Sequence, residues 1–349
     1  MRAFEPTAIM STSEQPCDPI QPRVCLILSF LGPWPPYADL YLHSIRFNPD
    51  VDWLFVCDRP PPAAVPSNVR VLLTTKEQLA QRIADTVQTP VNLSIPYKLC
   101  DFRPAYGVIF RNELRGYDFW GHCDSDVVFG RIRRFITNEI LDSHDKVLMH
   151  GYMAFYRNSA VGNGFFRFTA PSIRYQDVFA DPRYRGFDEW SGIARVFAHH
   201  NIPYFQREFM ATPVPWRYEL QAAQVKNYYP QAFVWDEGRI LQLYWNGSKI
   251  VETEFALIHL MRRKMKPAEF SVDSSLRRFA ILPDGFQQLS VMPSSPGELL
   301  KLNPRRRWYP AYFTLLRPVR RLRRFLRERS LLKSFPPSQA TRPSSPQQR

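Results

Sequence analysis

The chain has 349 residues, 45% apolar and 14% aromatic, which suits one large domain or two small ones and excludes a disordered protein. Its formal charge of +14 is uneven: residues 305–333 carry ten Arg and one Lys against one Glu, a net +10, so the rest of the chain is close to neutral. Five cysteines with no Cys-x-x-Cys pair exclude a zinc ribbon and a disulfide framework and fit a reducing compartment.

Residues 1–22 hold Pro6, Pro16, Pro19 and Pro22 with little periodicity and read as a disordered leader, with no secretory apolar segment after Arg2. The apolar run Val24 to Phe30 predicts a strand buried on both faces. The turn Gly32-Pro33-Trp34-Pro35-Pro36 follows, then a helix over 37–47. Strands are expected at 52–58 and 69–73, and Thr75 is placed to cap a helix running to about Val87. A further helix is expected over 102–114, a strand ending at Asp124, a helix over 132–141 and a short strand at 147–149. This alternation predicts an α/β class with a mainly parallel sheet flanked by helices.

Beyond about residue 160 the pattern loosens, and the second half is expected to cover the sheet edge and build an acceptor site. The main domain is set at 23–290, a Pro- and Ser-containing linker at 291–304, and a disordered tail at 334–349. Between them, 305–333 reads as a basic amphipathic helix: Leu315, Val319, Leu322 and Leu326 share one stripe, flanked by Arg320, Arg321, Arg323 and Arg324. Such a helix suits an anionic membrane surface. Nucleic acid is the less favoured partner, since no nucleic-acid module is visible. No run reaches the roughly 18 apolar residues of a membrane span. The expected location is the cytoplasm, peripheral on the inner face of the cell membrane.

The strongest chemical signal is Asp124-Ser125-Asp126, at the end of an apolar run. On a strand the two carboxylates would share a face, and the carboxyl edge of an open α/β sheet is where ligands bind. Two close carboxylates repel unless a cation lies between them. A hard divalent ion fits, and it would bring a phosphate with it. The structural alternative is a surface turn, for which Asp-Ser-Asp is good chemistry. Asp58 ends another apolar strand and is placed to meet a ribose hydroxyl or a base edge. Lys98 and Arg103 are candidates to neutralise a diphosphate, with Asp101 orienting Arg103 or contacting the base. Asp188 and Glu189, between aromatics, are candidate general bases. His259 lies in an apolar run before Arg262, Arg263 and Lys264, cations that suit a diphosphate, and its imidazole is a possible metal ligand. No dinucleotide-binding Gly pattern, Walker loop, Gly-x-Ser-x-Gly elbow or His-Glu-x-x-His is present.

Taken together, Pro96-Tyr97-Lys98-Leu99-Cys100-Asp101-Phe102-Arg103-Pro104-Ala105-Tyr106-Gly107, the run from Gly116 to Asp126, Phe187-Asp188-Glu189 and Ile258-His259-Leu260 resemble the GT-A glycosyltransferases. More closely, the chain looks like an uncharacterised bacterial family of that fold carrying the Asp-x-Asp motif. The resemblance covers roughly residues 23–270. It implies that Asp124 and Asp126 hold Mn²⁺ or Mg²⁺ with the donor diphosphate and ribose, and that His259 completes the metal site. It further implies that Asp188 or Glu189 lies near the acceptor and that Gly151 to Phe155 line the donor sugar.

The implied activity is metal-dependent transfer from a nucleotide-sugar, a UDP-sugar by preference, to a glycan or lipid-linked acceptor in cell-envelope polysaccharide synthesis, as a transferase of hexosyl type. An inverting enzyme would use Asp188 or Glu189 as base; a retaining one would not. The rivals are a non-catalytic membrane- or nucleic-acid-binding protein and a sugar nucleotidyltransferase. The latter's Gly-rich loop after the first strand is not seen.

Overall fold

The computed structural model describes residues 21–319 apart from 224, 262 and 317. The expected tail at 334–349 and nearly all of the leader at 1–22 fall outside the described residues.

From its start the described chain forms β1 (Val24–Phe30), α1 (Ala38–Ile45), β2 (Asp52–Cys57), β3 (Val69–Leu73), α2 (Lys76–Val87), α3 (Leu99–Phe102), α4 (Tyr106–Ile109), β4 (Phe119–Cys123), β5 (Val127–Phe129), α5 (Asn138–Ser143), β6 (Lys146–His150) and β7 (Met153–Arg157). It continues with α6 (Tyr175–Ala180), α7 (Ile193–His199), β8 (Met210–Ala211), β9 (Gln231–Asp236), β10 (Arg239–Trp245), β11 (Ile250–Phe255), β12 (Leu257–His259), β13 (Arg278–Ile281), β14 (Phe286–Gln288), α8 (Pro296–Leu302) and α9 (Tyr309–Leu315).

A six-stranded sheet in the order β3-β2-β1-β4-β7-β6 forms the centre. β1, β2, β3 and β4 pair in parallel, and β7 runs against both its neighbours. The apolar run of β1 feeds both faces, as strand alternation requires. Cys25 and Ile27 join a core with α2, α3, α4 and α7. Val24, Leu26 and Leu28 join another with α1 and β5. This is the expected α/β class, a mainly parallel sheet flanked by helices, and it is compatible with a GT-A-like fold.

A second, antiparallel sheet, β11-β10-β9-β13-β14, occupies the later half. A third and smaller one, β5-β12-β8, lies where the two halves meet and carries the site described below.

Three expected elements differ. The helix over 102–114 breaks into α3, a 3₁₀ turn at Arg103–Ala105 and α4, because Pro104 has no N–H to continue a helix. The helix over 132–141 becomes a 3₁₀ turn at Ile132–Arg134 followed by α5. The linker at 291–304 contains α8, started by a reciprocal cap between Ser295 and Glu298, with Leu299 and Leu302 packed on Val234 and Leu241 of the second sheet.

Of the basic helix at 305–333, α9 is described, and none of its residues is buried. Residues 320–333 lie outside the described residues. No helix among the described residues is long and apolar enough to cross a membrane.

Candidate metal and donor site

Asp124 follows β4 directly and Asp126 precedes β5, so both stand at the carboxyl edge of the parallel sheet. They lie in the break between two strands rather than along one. The third group comes from the far end of the chain. β12 pairs antiparallel with β5, setting His259 opposite Val127, and the Leu260 amide donates to the Asp126 carbonyl at 2.8 Å. That register fixes the imidazole over the acids; a slip of one residue would turn it to the other face.

His259 Nε2 lies 3.2 Å from Asp126 Oδ1 and 3.7 Å from Asp124 Oδ2. One ligand atom from each of the three residues falls within 4.8 Å of the others. Ligands about 2.0–2.2 Å from one ion, separated by 90–120°, lie about 2.8–3.8 Å from each other. Both His259 distances fall in that range, and two carboxylates with an imidazole form a donor set that suits a hard or borderline divalent ion such as Mn²⁺ or Mg²⁺.

The electrostatics agree with that fit. Burial works to raise the Asp126 carboxyl, but the hydrogen bond and charge of His259 outweigh it and the net direction is down. Burial works to lower His259, and the same partner reverses that, so the imidazole holds its proton more firmly than usual. His259 also leaves a buried Nδ1 with no hydrogen-bond partner.

Arg103 ties this cluster to a deeper acid. Its Nη2 donates to Asp124 Oδ1, while Nη1 donates to Asp188 Oδ2 at 2.9 Å and to the Gly151 carbonyl at 2.6 Å. Asp188 is fully buried and also accepts from the Tyr184 hydroxyl at 3.3 Å. Burial pushes its carboxyl up to about 7 against the pull of Arg103. Of the two acids expected as bases, Asp188 is thus occupied below the surface, and Glu189 is the partly exposed one. Glu189 rests on Gly151, where an added Cβ would meet Glu189 Oε1 at 2.6 Å. A larger residue there would push the flexible Glu189 side chain aside.

Lys98 and Asp101 do not stand free for a donor. Both side chains are fully buried and form an ion pair at 2.8 Å. Lys98 also donates to the Val178 and Arg183 carbonyls, and Asp101 accepts from the Arg185 and Phe187 amides. Every polar atom of the pair is used to hold α3 against the segment around 178–187. Asp101 makes no bond to Arg103 and has no path to a base.

Asp58 stands at the end of β2, two strands away from β4, which leads into Asp124. It accepts from the Gly32 amide at 3.0 Å and pairs with Arg59 at 3.1 Å, and hydrogen bonds from Arg59 hold its carboxyl below the usual range. Arg262 lies outside the described residues. Its neighbour Arg263 is committed to the backbone carbonyls of Val214, Arg217, Tyr218 and Pro283.

Several groups at the site had no role of their own in the sequence analysis, Tyr152 and Tyr97 entering it only within longer segments. Tyr152 packs on His259 at 4.5 Å between ring centroids, His150 stacks on Tyr152 at 4.8 Å, and Trp190 meets His150 edge-on at 6.3 Å. Tyr97 packs on Tyr184 at 4.6 Å between ring centroids. Trp190 and Tyr97 are each more than half exposed. Glu208 lies 3.7 Å from His150. The exposed aromatics stand beside the acid-bearing blocks and could have been noticed; nothing in Gln206-Arg207-Glu208 signals Glu208.

A protein family described as a family of unknown function (DUF6625) has a profile that matches residues 26–290. The chain belongs to that family. A search of curated proteins finds no match. Among solved structures, apo mouse xyloside xylosyltransferase 1 is similar, with 11% identity and a TM-score of 0.39 over 57% of this chain and 89% of that one. At that distance it says nothing of activity, and the chemistry has to be read from the side chains.

Proposed function

We propose that this chain is a metal-dependent glycosyltransferase that takes a sugar from a nucleotide-sugar, a UDP-sugar by preference. The observation that carries the reading is the meeting of Asp124, Asp126 and His259 at the carboxyl edge of the sheet. These three would hold Mn²⁺ or Mg²⁺, and the ion, when bound, offsets the charge that develops on a departing diphosphate.

The surrounding residues take distinct parts. Arg103 orients Asp124 through one arm of its guanidinium and is itself anchored by Asp188 and Gly151 with the other. Asp58, further along the same edge, receives a ribose hydroxyl or base edge. Glu189 is the acid placed to accept a proton from an acceptor hydroxyl, and Asp188 is a positioning residue for Arg103. Tyr97 and Trp190 offer flat apolar faces for the C–H side of an acceptor sugar. The acceptor class is a glycan or lipid-linked glycan, as cell-envelope synthesis would supply.

A thermal-shift panel of nucleoside diphosphates and nucleotide-sugars, each with Mn²⁺ and with EDTA, tests the reading. Stabilisation by one nucleotide only when metal is present is expected. Equal stabilisation in EDTA, or none with any nucleotide, would overturn it. Release of pyrophosphate from a nucleoside triphosphate would instead mark a nucleotidyltransferase.

A further inference from the structure

Among the described residues, an apolar stripe near the end of the fold is exposed. Trp308 is 56% exposed, Tyr312 46%, Leu315 75% and Val319 43%. Trp308, Tyr312 and Leu315, spaced by four and three residues, share one face at α9, and Val319 follows beyond the end of that helix. The start of α9 is nevertheless fixed in place. Tyr309 packs on Tyr218 at 5.7 Å, Arg306 lies over the Tyr218 ring at 3.7 Å, and Arg305 lies over Tyr229 at 3.6 Å. A firmly rooted helix thus presents tryptophan, tyrosine and leucine to solvent, beside Arg305-Arg306-Arg307 and ahead of seven further arginines through residue 329.

We propose that this face is an interfacial docking surface for an anionic lipid bilayer, with Trp308, Tyr312 and Leu315 seated at the headgroup boundary and the net positive charge of the 305–333 sequence supplying the attraction to anionic headgroups. Aromatic rings with one polar end prefer that boundary. Each arginine near an anionic surface strengthens partition by about fivefold, while a lone apolar stripe binds weakly.

Charge argues against the other occupants. A second copy would set two segments of net +10 against each other. The chain's own residues 334–349 contain no carboxylate to neutralise the arginines. Nucleic acid would satisfy the arginines but leave Leu315 and Val319 in water. Docking through α9 does not rest on the transferase reading, because it needs no donor and no metal.

Co-sedimentation of the full chain with vesicles of phosphatidylcholine alone, or of phosphatidylcholine and phosphatidylglycerol in equal parts, tests this. Binding is expected to the mixed vesicles, and to weaken by about tenfold or more on neutral vesicles or at high salt. The triple substitution Trp308→Ser, Tyr312→Ser, Leu315→Ser should weaken binding to the mixed vesicles by about tenfold or more, with the melting temperature unchanged because all three side chains are exposed. Absence of binding to mixed vesicles would overturn the proposal. So would equal binding by the triple variant, a dimer that the variant dissolves while vesicle binding is nil, or tighter binding to duplex DNA than to the mixed vesicles.

Discussion

Asp124 is the residue on which the site turns, because it faces two partners at once. One oxygen accepts from Arg103 and the other faces His259. Asp126 has no such second duty, so it is the cleaner probe of the ion. Asp126→Asn keeps the shape and removes the charge, and should weaken Mn²⁺ affinity roughly a hundredfold or more while leaving the melting temperature without metal nearly unchanged. Calorimetric titration with Mn²⁺ reads it, and wild-type affinity in the variant would remove Asp126 from the ligand set.

Arg103 behaves differently, since it is buried with three partners. Arg103→Ala leaves Asp188 ionisable and unpaired in the interior, and should destabilise the fold by about 3–5 kcal/mol in urea unfolding. Arg103→Lys should recover only part of that, because a point ammonium cannot span Asp124, Asp188 and the Gly151 carbonyl as the planar fork does.

At the scale of elements, α3 is clamped by a buried ion pair that the sequence disguised as a ligand site. Lys98→Met should cost about 3–5 kcal/mol by stranding the Asp101 charge, yet leave Mn²⁺ affinity in the folded protein unchanged. Loss of metal affinity in the folded variant would return Lys98 to the site.

The segment leading into β8 holds a partly buried acid. Burial pushes the Glu208 carboxyl up from its ordinary 4.5 to about 7. Burial also lowers the neighbouring His150 to about 4, so above that pH the imidazole is neutral and offers Glu208 no counter-charge. Between those two Glu208 values the folded state keeps a proton that the unfolded state has released. Taken alone, Glu208 therefore lowers stability as pH rises through that window, by at most about 3 kcal/mol, while the lowered His150 works the other way below its ordinary 6.5. Glu208→Gln should flatten that slope and be more stable than the wild type at pH 8; urea unfolding at pH 5 and pH 8 would show whether it does.

Local signals account for what was legible in the sequence. The apolar runs of β1 and β2, the Thr75–Gln78 cap of α2 and the Asp124/Asp126 pair are all written within a few residues. What stayed hidden depends on distant partners. Lys98 is buried only because carbonyls from residues 178 and 183 reach it, and His259 meets the acids only through the β5–β12 register. The Ser295–Glu298 cap of α8 was readable, but the surrounding prolines and serines gave the stretch the look of a linker.

At the scale of the whole molecule, the three candidate ligands come from opposite halves of the chain. Asp124 and Asp126 leave the parallel sheet, whereas β12 continues from β11 after Ala256 alone, so His259 belongs to the run that builds the antiparallel sheet. An ion held by all three would act as a removable rivet between the halves, stabilising only the closed arrangement and in proportion to its free concentration. Backbone amides of β9, β10 and β11 should then exchange with deuterium more slowly in Mn²⁺ than in EDTA, while those of β1 and β2, held by their own core, should hardly respond. Withdrawing a divalent ion would thereby loosen a sheet that makes no direct contact with it.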